Sequence, residues 1–383
     1  MPDIRPALQQ AWLTQGLIAR VLWPVSLIYG ALVWLRKLLY RLDVFHAPHL
    51  PVPVIVVGNV FVGGVGKTPL VIALVKQLTA RGLKVGVLSR GYGRSGDGSQ
   101  SVTAQSSATE VGDEPVLIAR ACQVPVFVGK NRLQAGQHLL AQNPQIQVIV
   151  CDDGLQHMAL AHDLALCVFD ERGLGNGWLL PAGPLREPWP VDRSGYLQVI
   201  TLSTSNYEIE NPQRVNEQLL GKEEEQLQVQ VQVQVQVQVL EKDKEKPKEL
   251  KKPKADFVVP RVLADFAQQA DGTTQALSIF RSQKVQALAG IGKPQVFFDM
   301  LTDKGIVLLA TKALADHDDM RTIHIDPELG EVLCTEKDAV KLWNFQPTAW
   351  AVPLITEIPE ELLNTILAHI GPKLSSAHGH QTT

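Results

Sequence analysis

The sequence predicts an α/β protein: a doubly wound, mainly parallel sheet, a second and smaller α/β domain, and an N-terminal membrane-associated helix. Three observations predict it. Short apolar runs rich in β-branched residues alternate with segments whose leucines recur at helical spacing. A glycine-rich turn separates the first such run from the first such helix. Gln-Val repeats followed by a Lys, Glu and Pro tract then break the composition in the second half of the chain.

The N-terminal helix is read from Val21–Leu35, an uncharged run flanked by Arg20 and by Arg36, Lys37 and Arg41. As a helix it would span roughly 22 Å, short of the ~30 Å hydrocarbon core, and Pro24 interrupts it. Basic residues follow where a signal peptide needs small ones. It is therefore expected to lie in the interface with its basic flank toward anionic headgroups; a buried core helix is the alternative. Next, Val52–Val57 is a strand ending at Gly58-Asn59. Thr68–Arg81 is a helix, with Leu70, Leu74 and Leu78 on one face, Val71 and Val75 beside them, and Gly82 to end it. Further strands are expected at Val85–Leu88, Val124–Val128, Ile146–Cys151, Leu164–Phe169 and Leu197–Leu202.

Gln228–Val239 alternates strictly, and Glu241–Lys254 is too charged to bury a core. Both read as a surface insertion without function. Beyond it come strands at Lys284–Ile291, Ile306–Ala310 and Val332–Thr335 and a helix at Pro294–Leu301. The expected organisation is an interfacial helix region at 1–45, a nucleotide-binding domain at 46–205, and a junction at 206–280 that holds the insert at 221–254. A smaller α/β domain at 281–372 and a frayed tail at 373–383 complete it.

Composition narrows the function. Of 383 residues, 45% are hydrophobic and 20% charged, the balance of a globular protein. A net charge of −3 argues against nucleic acid as a partner. Cys122, Cys151, Cys167 and Cys334 form no CxxC pair, which suits reduced cytosolic thiols better than a disulfide scaffold or zinc site.

The strongest motif is Phe61-Val62-Gly63-Gly64-Val65-Gly66-Lys67-Thr68, between the first strand and its helix. Its glycines let backbone N–H groups turn toward phosphate oxygens, and the helix N-terminus adds its positive end. Lys67 would reach the β- and γ-phosphates and the Thr68 hydroxyl would ligate Mg²⁺. The general P-loop pattern wants glycine at position 61, where this chain has Phe61. Asp152-Asp153, at the end of an apolar strand, is placed to hold the same Mg²⁺ or its waters.

Several unusual strings surround this loop. They are Ser89-Arg90-Gly91-Tyr92-Gly93-Arg94, Gly112-Asp113-Glu114-Pro115, Asp152-Asp153-Gly154-Leu155-Gln156-His157, and Pro181-Ala182-Gly183-Pro184-Leu185-Arg186-Glu187-Pro188. Gly175-Asn176-Gly177, Asp316-His317 and Thr335-Glu336-Lys337-Asp338-Ala339-Val340-Lys341 complete the set. In this order they closely resemble the tetraacyldisaccharide 4′-kinase family, the lipid A pathway kinases of Gram-negative bacteria. The resemblance runs from the N-terminal helix to about residue 345, interrupted by the insert. It implies transfer of the γ-phosphate of ATP to the 4′-hydroxyl of a lipid-linked disaccharide 1-phosphate, giving lipid IVA, with Mg²⁺, at the cytoplasmic face of the inner membrane. It implies Asp113 as general base with His317 as its partner, and Lys67 in the transfer. Thr68 and Asp152 would serve Mg²⁺, with Asp153 close by, and Arg90 and Gln156 would lie on the substrate side.

Two other classes compete. A partitioning ATPase would carry a lysine just before the paired glycines, where this chain has Val62, and the Asn-Lys-x-Asp string of GTPases is absent. A membrane scaffold with a vestigial loop would turn over no ATP, yet Lys67, Thr68, Asp113 and Asp152 are all chemically competent.

Overall fold

The computed structural model describes residues 11–190, 195–203, 255–316, 318–321 and 323–378. The insert at 221–254 lies outside the described residues. In chain order the first half comprises α1 (Leu17–Arg41), β1 (Val54–Gly58), α2 (Lys67–Ala80), β2 (Val85–Ser89), β3 (Gln100–Val102) and α3 (Ala108–Val111). There follow α4 (Asp113–Cys122), β4 (Val126–Val128), α5 (Arg132–Gln142), β5 (Val148–Asp152), β6 (Leu164–Phe169) and β7 (Tyr196–Ser203). The second half holds β8 (Phe257–Leu263), β9 (Phe266–Gln268), β10 (Thr274–Ala276), β11 (Val285–Ala289), α6 (Pro294–Asp303) and β12 (Leu308–Ala313). It ends with β13 (Glu331–Thr335), α7 (Glu336–Leu342), β14 (Trp350–Val352), β15 (Leu354–Thr356) and α8 (Glu360–His378).

Among the described residues the first sheet has nine strands, ordered β15-β8-β7-β6-β1-β5-β2-β4-β3. From β8 to β4 every pairing is parallel, and β15 and β3 close the two edges antiparallel. Every residue of β1, β2, β5 and β6 is buried. Their unbroken apolar runs follow from having helices on both faces. Winding reverses at β1, with β5, β2 and β4 on one side and β6, β7 and β8 on the other. Ligands of doubly wound sheets bind at such a reversal, beyond the carboxyl ends of the strands.

A second sheet runs β10-β9-β14-β13-β11-β12 over its own buried clusters, one around Phe280, Phe297 and Trp350. Two crossings side by side join the sheets, at Ala264-Asp265 and at Pro353. The Ala264 N–H donates to the Pro353 carbonyl at 2.9 Å. A paired connection of this kind is the natural place for a hinge.

Three stretches of the chain fall differently from the sequence-based expectation. β8 belongs to the first sheet although it sits in the expected junction; Pro260 breaks its strand pattern. Residues 281–372 do not all pack together: α8 returns to the first sheet, burying Leu362, Leu363, Ile366 and Ile370 in the cluster that holds β1 and α2. Residues 373–378 continue α8 instead of fraying, and Lys373 pairs with Asp163 at 3.1 Å.

Helix α1 is longer than the uncharged run, because the flanking Leu, Arg, Lys and Tyr residues also favour or tolerate helix. Its hydropathy averages 1.7 over 18 residues. It has two distinct faces. Ser26 donates to the Leu179 carbonyl (2.9 Å), Tyr29 to the Arg186 carbonyl (2.7 Å), and Lys37 pairs with Glu187 (2.7 Å). Leu17, Val21, Val25, Ile28, Leu32 and Leu35 recur at three- and four-residue spacing on the other side, and all are exposed. That exposure rules out the buried core helix.

Candidate active site

The phosphate loop leaves β1 at the reversal point and enters α2 at Lys67. Left-handed or positive-φ backbone is needed at two of its positions, Gly63 (φ 112°) and Gly66 (φ 81°), and both are glycine. Phe61 needs no such freedom. It forms an isolated antiparallel bridge with Leu185, its side chain is buried, and the Arg172 guanidinium lies 4.4 Å above its ring. Arg172 also donates to the Gly64 carbonyl (2.8 Å) and is gripped by Asp170 (2.7 Å). The missing glycine is thus replaced by an aromatic platform for an arginine that steadies the loop. The Pro181–Pro188 segment supports the other side, where Val62 N donates to Pro184 O (2.9 Å) and Arg186 N to Val60 O (2.7 Å).

Lys67 Nζ lies 3.0 Å from Asn59 Oδ1 and 3.3 Å from Asp153 Oδ1, so the structure brings the loop lysine and one expected acidic residue together. Asp153 sits just beyond β5 in left-handed backbone (φ 49°), a conformation aspartate tolerates. Burial would raise its pKa, but Lys67 and Arg186 outweigh that and hold it below the usual carboxylate value. Asp152, the last residue of β5, is different. It is fully buried and neither carboxylate oxygen has a hydrogen-bond partner among the described residues. Burial, with the charges of Glu114 and Asp153, pushes its pKa up to about 8. Thr68 is buried in the first turn of α2.

Asp113 opens α4, where the helix N-terminus favours an anion. Its Oδ1 accepts from Glu114 N (2.9 Å) and its Oδ2 lies 3.1 Å from Lys341 Nζ. Backbone packing sets this position. A Cβ on Gly91 would meet the Val111 carbonyl at 2.5 Å, and one on Gly112 would meet Gly91 Cα at 3.0 Å. Only two glycines can pass so close, which accounts for both loops being glycine-marked. His317 lies outside the described residues.

Arg90 is exposed just after β2. Burial, then the charges of Arg132, Arg36 and Arg90, push the His157 pKa down to about 4; Arg36 and Arg90 are exposed, while Arg132 is buried behind them. Gln156 is engaged within the chain. Its Nε2 donates to Asn59 O (2.9 Å) and Glu187 Oε1 (3.0 Å), and its Oε1 accepts from Arg186 (3.3 Å). It braces the phosphate loop and links it, through Glu187 and Lys37, to α1.

From the second sheet, the Gly290-Ile291-Gly292-Lys293 loop after β11 meets the phosphate loop: a Cβ on Gly292 would lie 3.3 Å from Gly64 N. Lys293 pairs with Asp170 at 3.0 Å and with Glu171. Sequence reasoning gave no role to Asn59, Asp170, Arg172, Lys293 or Lys341. Asn59 and Lys341 stand inside strings it singled out, and the others act across distances that spacing does not reveal.

A phosphate loop at the reversal of a parallel sheet, with a lysine and two strand-end aspartates beside it, defines a P-loop nucleotide-binding protein of the phosphotransferase type. Comparison with known proteins narrows this. The tetraacyldisaccharide-1-P 4′-kinase family profile matches residues 18–371, and the chain belongs to that family. It is 44% identical to the tetraacyldisaccharide 4′-kinase of Polaromonas naphthalenivorans over 99% of this chain and 100% of the relative. It is 43% identical to the enzyme of that name from an Acidovorax species, over 97% and 96%. A crystal structure of LpxK from Aquifex aeolicus, an "apo" form in complex with ATP, superposes with a TM-score of 0.67 at 27% identity, covering 92% of this chain and all of that one.

Proposed function

We propose that this chain transfers the γ-phosphate of ATP to the 4′-hydroxyl of tetraacyldisaccharide 1-phosphate, forming lipid IVA for lipid A. The reading is carried by full-length similarity to relatives bearing that name, over a phosphate loop whose lysine already touches Asn59 and Asp153.

Phe61 to Thr68 cradle the triphosphate, and Lys67 follows the γ-phosphoryl group as charge shifts in the loose transition state. The residues present fit Mg²⁺. Asp152 offers two buried oxygens with no hydrogen-bond partner among the described residues, and Thr68 offers a hydroxyl. Among the described residues no cluster of three or more His, Cys, Asp or Glu could hold a metal unaided. That suits an ion that takes one or two protein ligands and completes its shell with phosphate and water. When bound, Mg²⁺ would neutralise charge on the β- and γ-phosphates. Asp113 accepts the proton of the 4′-hydroxyl as it attacks. His317 is assigned as its partner on family resemblance. Arg90, with Arg36, offers charge to the substrate's 1-phosphate. The Gly290–Lys293 loop closes over Gly64 and keeps water from the transfer.

The lipid enters along α1. Its exposed apolar stripe and basic flank suit the cytoplasmic face of the inner membrane, with the docked face fixing the active site near the bilayer. Replacing Ile28 and Leu32 with glutamate is expected to lower sedimentation with anionic phospholipid vesicles by ~10-fold or more, with ATP binding unchanged. Undiminished sedimentation would remove α1 from the membrane contact.

The test of the reaction is transfer of label from γ-³²P-ATP to tetraacyldisaccharide 1-phosphate in detergent micelles with Mg²⁺. Labelled lipid is expected. No labelled lipid from protein that binds Mg²⁺-ATP would sink the lipid kinase reading.

A further inference from the structure

We infer that Lys341 is a positioning residue for the transfer, holding the Asp113 carboxylate ionised and oriented from the far side of the site. The inference rests on the reading of Asp113 as general base.

Lys341 Nζ lies 3.1 Å from Asp113 Oδ2 and 2.7 Å from the Asp318 carbonyl. The Asp113 side chain is only 5% exposed and that of Lys341 14%. A carboxyl group so far from water tends to keep its proton, and a protonated carboxyl cannot take one from a sugar. The helix N-terminus and the Glu114 N–H favour the anion at Oδ1, and Lys341 does so at Oδ2. Both contacts help to orient the carboxylate.

Among the described residues, the charged groups that face this pair come from three elements. α4 contributes Glu114, and α7 contributes Lys337 besides Lys341. The segment after β12 contributes Asp316 and Asp318. Lys337 is engaged with Asp316 at 3.0 Å and Glu114 at 3.6 Å. Lys341 is therefore a cation at ion-pair distance from the base itself, where Glu114 offsets much of Lys337.

The second unit fixes where Lys341 stands. Thr335 caps α7. Buried Asp338 accepts from Gly290 N (2.9 Å) and Thr335 Oγ1 (2.7 Å), tying α7 to the loop that meets the phosphate loop. Val340 joins the core of the first sheet and Arg120 lies 5.7 Å from the Trp343 ring, which clamps α7 against α4. The seating of α7 therefore completes the base. In the reaction the 4′-oxygen bonds to phosphorus as the bond from phosphorus to the ADP oxygen breaks, and the hydroxyl proton passes to Asp113.

The test is the pH profile of kcat/KM for the lipid acceptor between pH 5.5 and 9, for wild type, Lys341→Met, Lys341→Gln and Lys341→Arg, with folding checked by thermal unfolding. The two neutral variants are expected to move the acid limb up by ~1–2 pH units. Their loss at pH 6 should then exceed their loss at pH 8.5 by ~10-fold, with the KM for ATP within ~3-fold of wild type. Lys341→Arg keeps the charge and is expected to keep the wild-type limb. A loss equal at both pH values, or an arginine variant shifted as far as methionine, would overturn the inference. Asp113→Asn run alongside separates the two readings. If it is inactive while the Lys341→Met limb stays at its wild-type position, only the role of Lys341 falls. If it is fully active, the base assignment falls first.

Discussion

Asp113→Asn is expected to lower kcat for lipid phosphorylation by ~10²–10⁴-fold, the range a positioned general base contributes. Asparagine keeps the shape and can still accept the Glu114 N–H that Oδ1 accepts now, but it has no site for the hydroxyl proton. The nucleotide side should be untouched, because Asp113 opens α4 while Phe61 to Thr68 follow β1. ATP binding by equilibrium titration is thus expected at wild-type affinity, placing the loss in kcat. The substitution strands Lys341 as a part-buried cation without its ion-pair partner, which costs stability on its own account. The Asp113→Asn/Lys341→Met double variant removes that cost and is expected to recover melting temperature without recovering activity. A single variant with kcat within ~3-fold of wild type would move the base elsewhere.

What the sequence could reveal depended on how local the cause was. β6 runs from Leu164 to Phe169 as its apolar pattern predicts, since a strand buried on both faces carries its reason in its own residues. The same holds for the loop from Gly63 to Thr68, whose glycines and lysine answer to backbone conformation and phosphate charge. The edges were not legible. β3 and β15 are three residues long, and β8 contains Pro260 in the middle of its run. α8 is plainly amphipathic, but nothing in its stripe says which of two sheets it will cover. Phe61 is the sharpest case. As a local pattern it counted against the motif, and it is explained only by Arg172, which reaches back from beyond β6 to cover it. Gln156 is the converse case. A polar residue in a distinctive string suggested substrate contact, while its amide is engaged in bracing Asn59, Glu187 and Arg186.

The second large effect joins activity to stability with opposite signs. Asp152→Asn is expected to reduce phosphoryl transfer by ~10²-fold or more, since on the proposed reading it removes a charged oxygen ligand of Mg²⁺. In metal-free buffer the same variant should be the more stable protein. Burial first, then Glu114 and Asp153, hold Asp152 at about 8 against an ordinary 3.8, so the folded value is the raised one. Between these values the folded chain binds a proton that the unfolded chain gives up, and stability falls as pH rises from about 4 toward 8. Above 8 the cost is fully present, because the carboxylate is then ionised with no hydrogen-bond partner among the described residues. Asparagine carries no charge at any pH and escapes this cost. Its melting temperature in EDTA should therefore exceed wild type by several degrees at pH 8.5, roughly 2–4 °C for each kcal/mol regained, with the gap narrowing toward pH 5. Adding Mg²⁺-ATP should stabilise wild type more than the variant and shrink the gap from the other side. A variant no more stable than wild type at pH 8.5 would mean that Asp152 is compensated in the folded chain. Its two unpartnered oxygens would then lose their standing as the place a cation binds. Met in full, the prediction describes a site whose stability is given up so that two carboxylate oxygens stay free for a divalent ion.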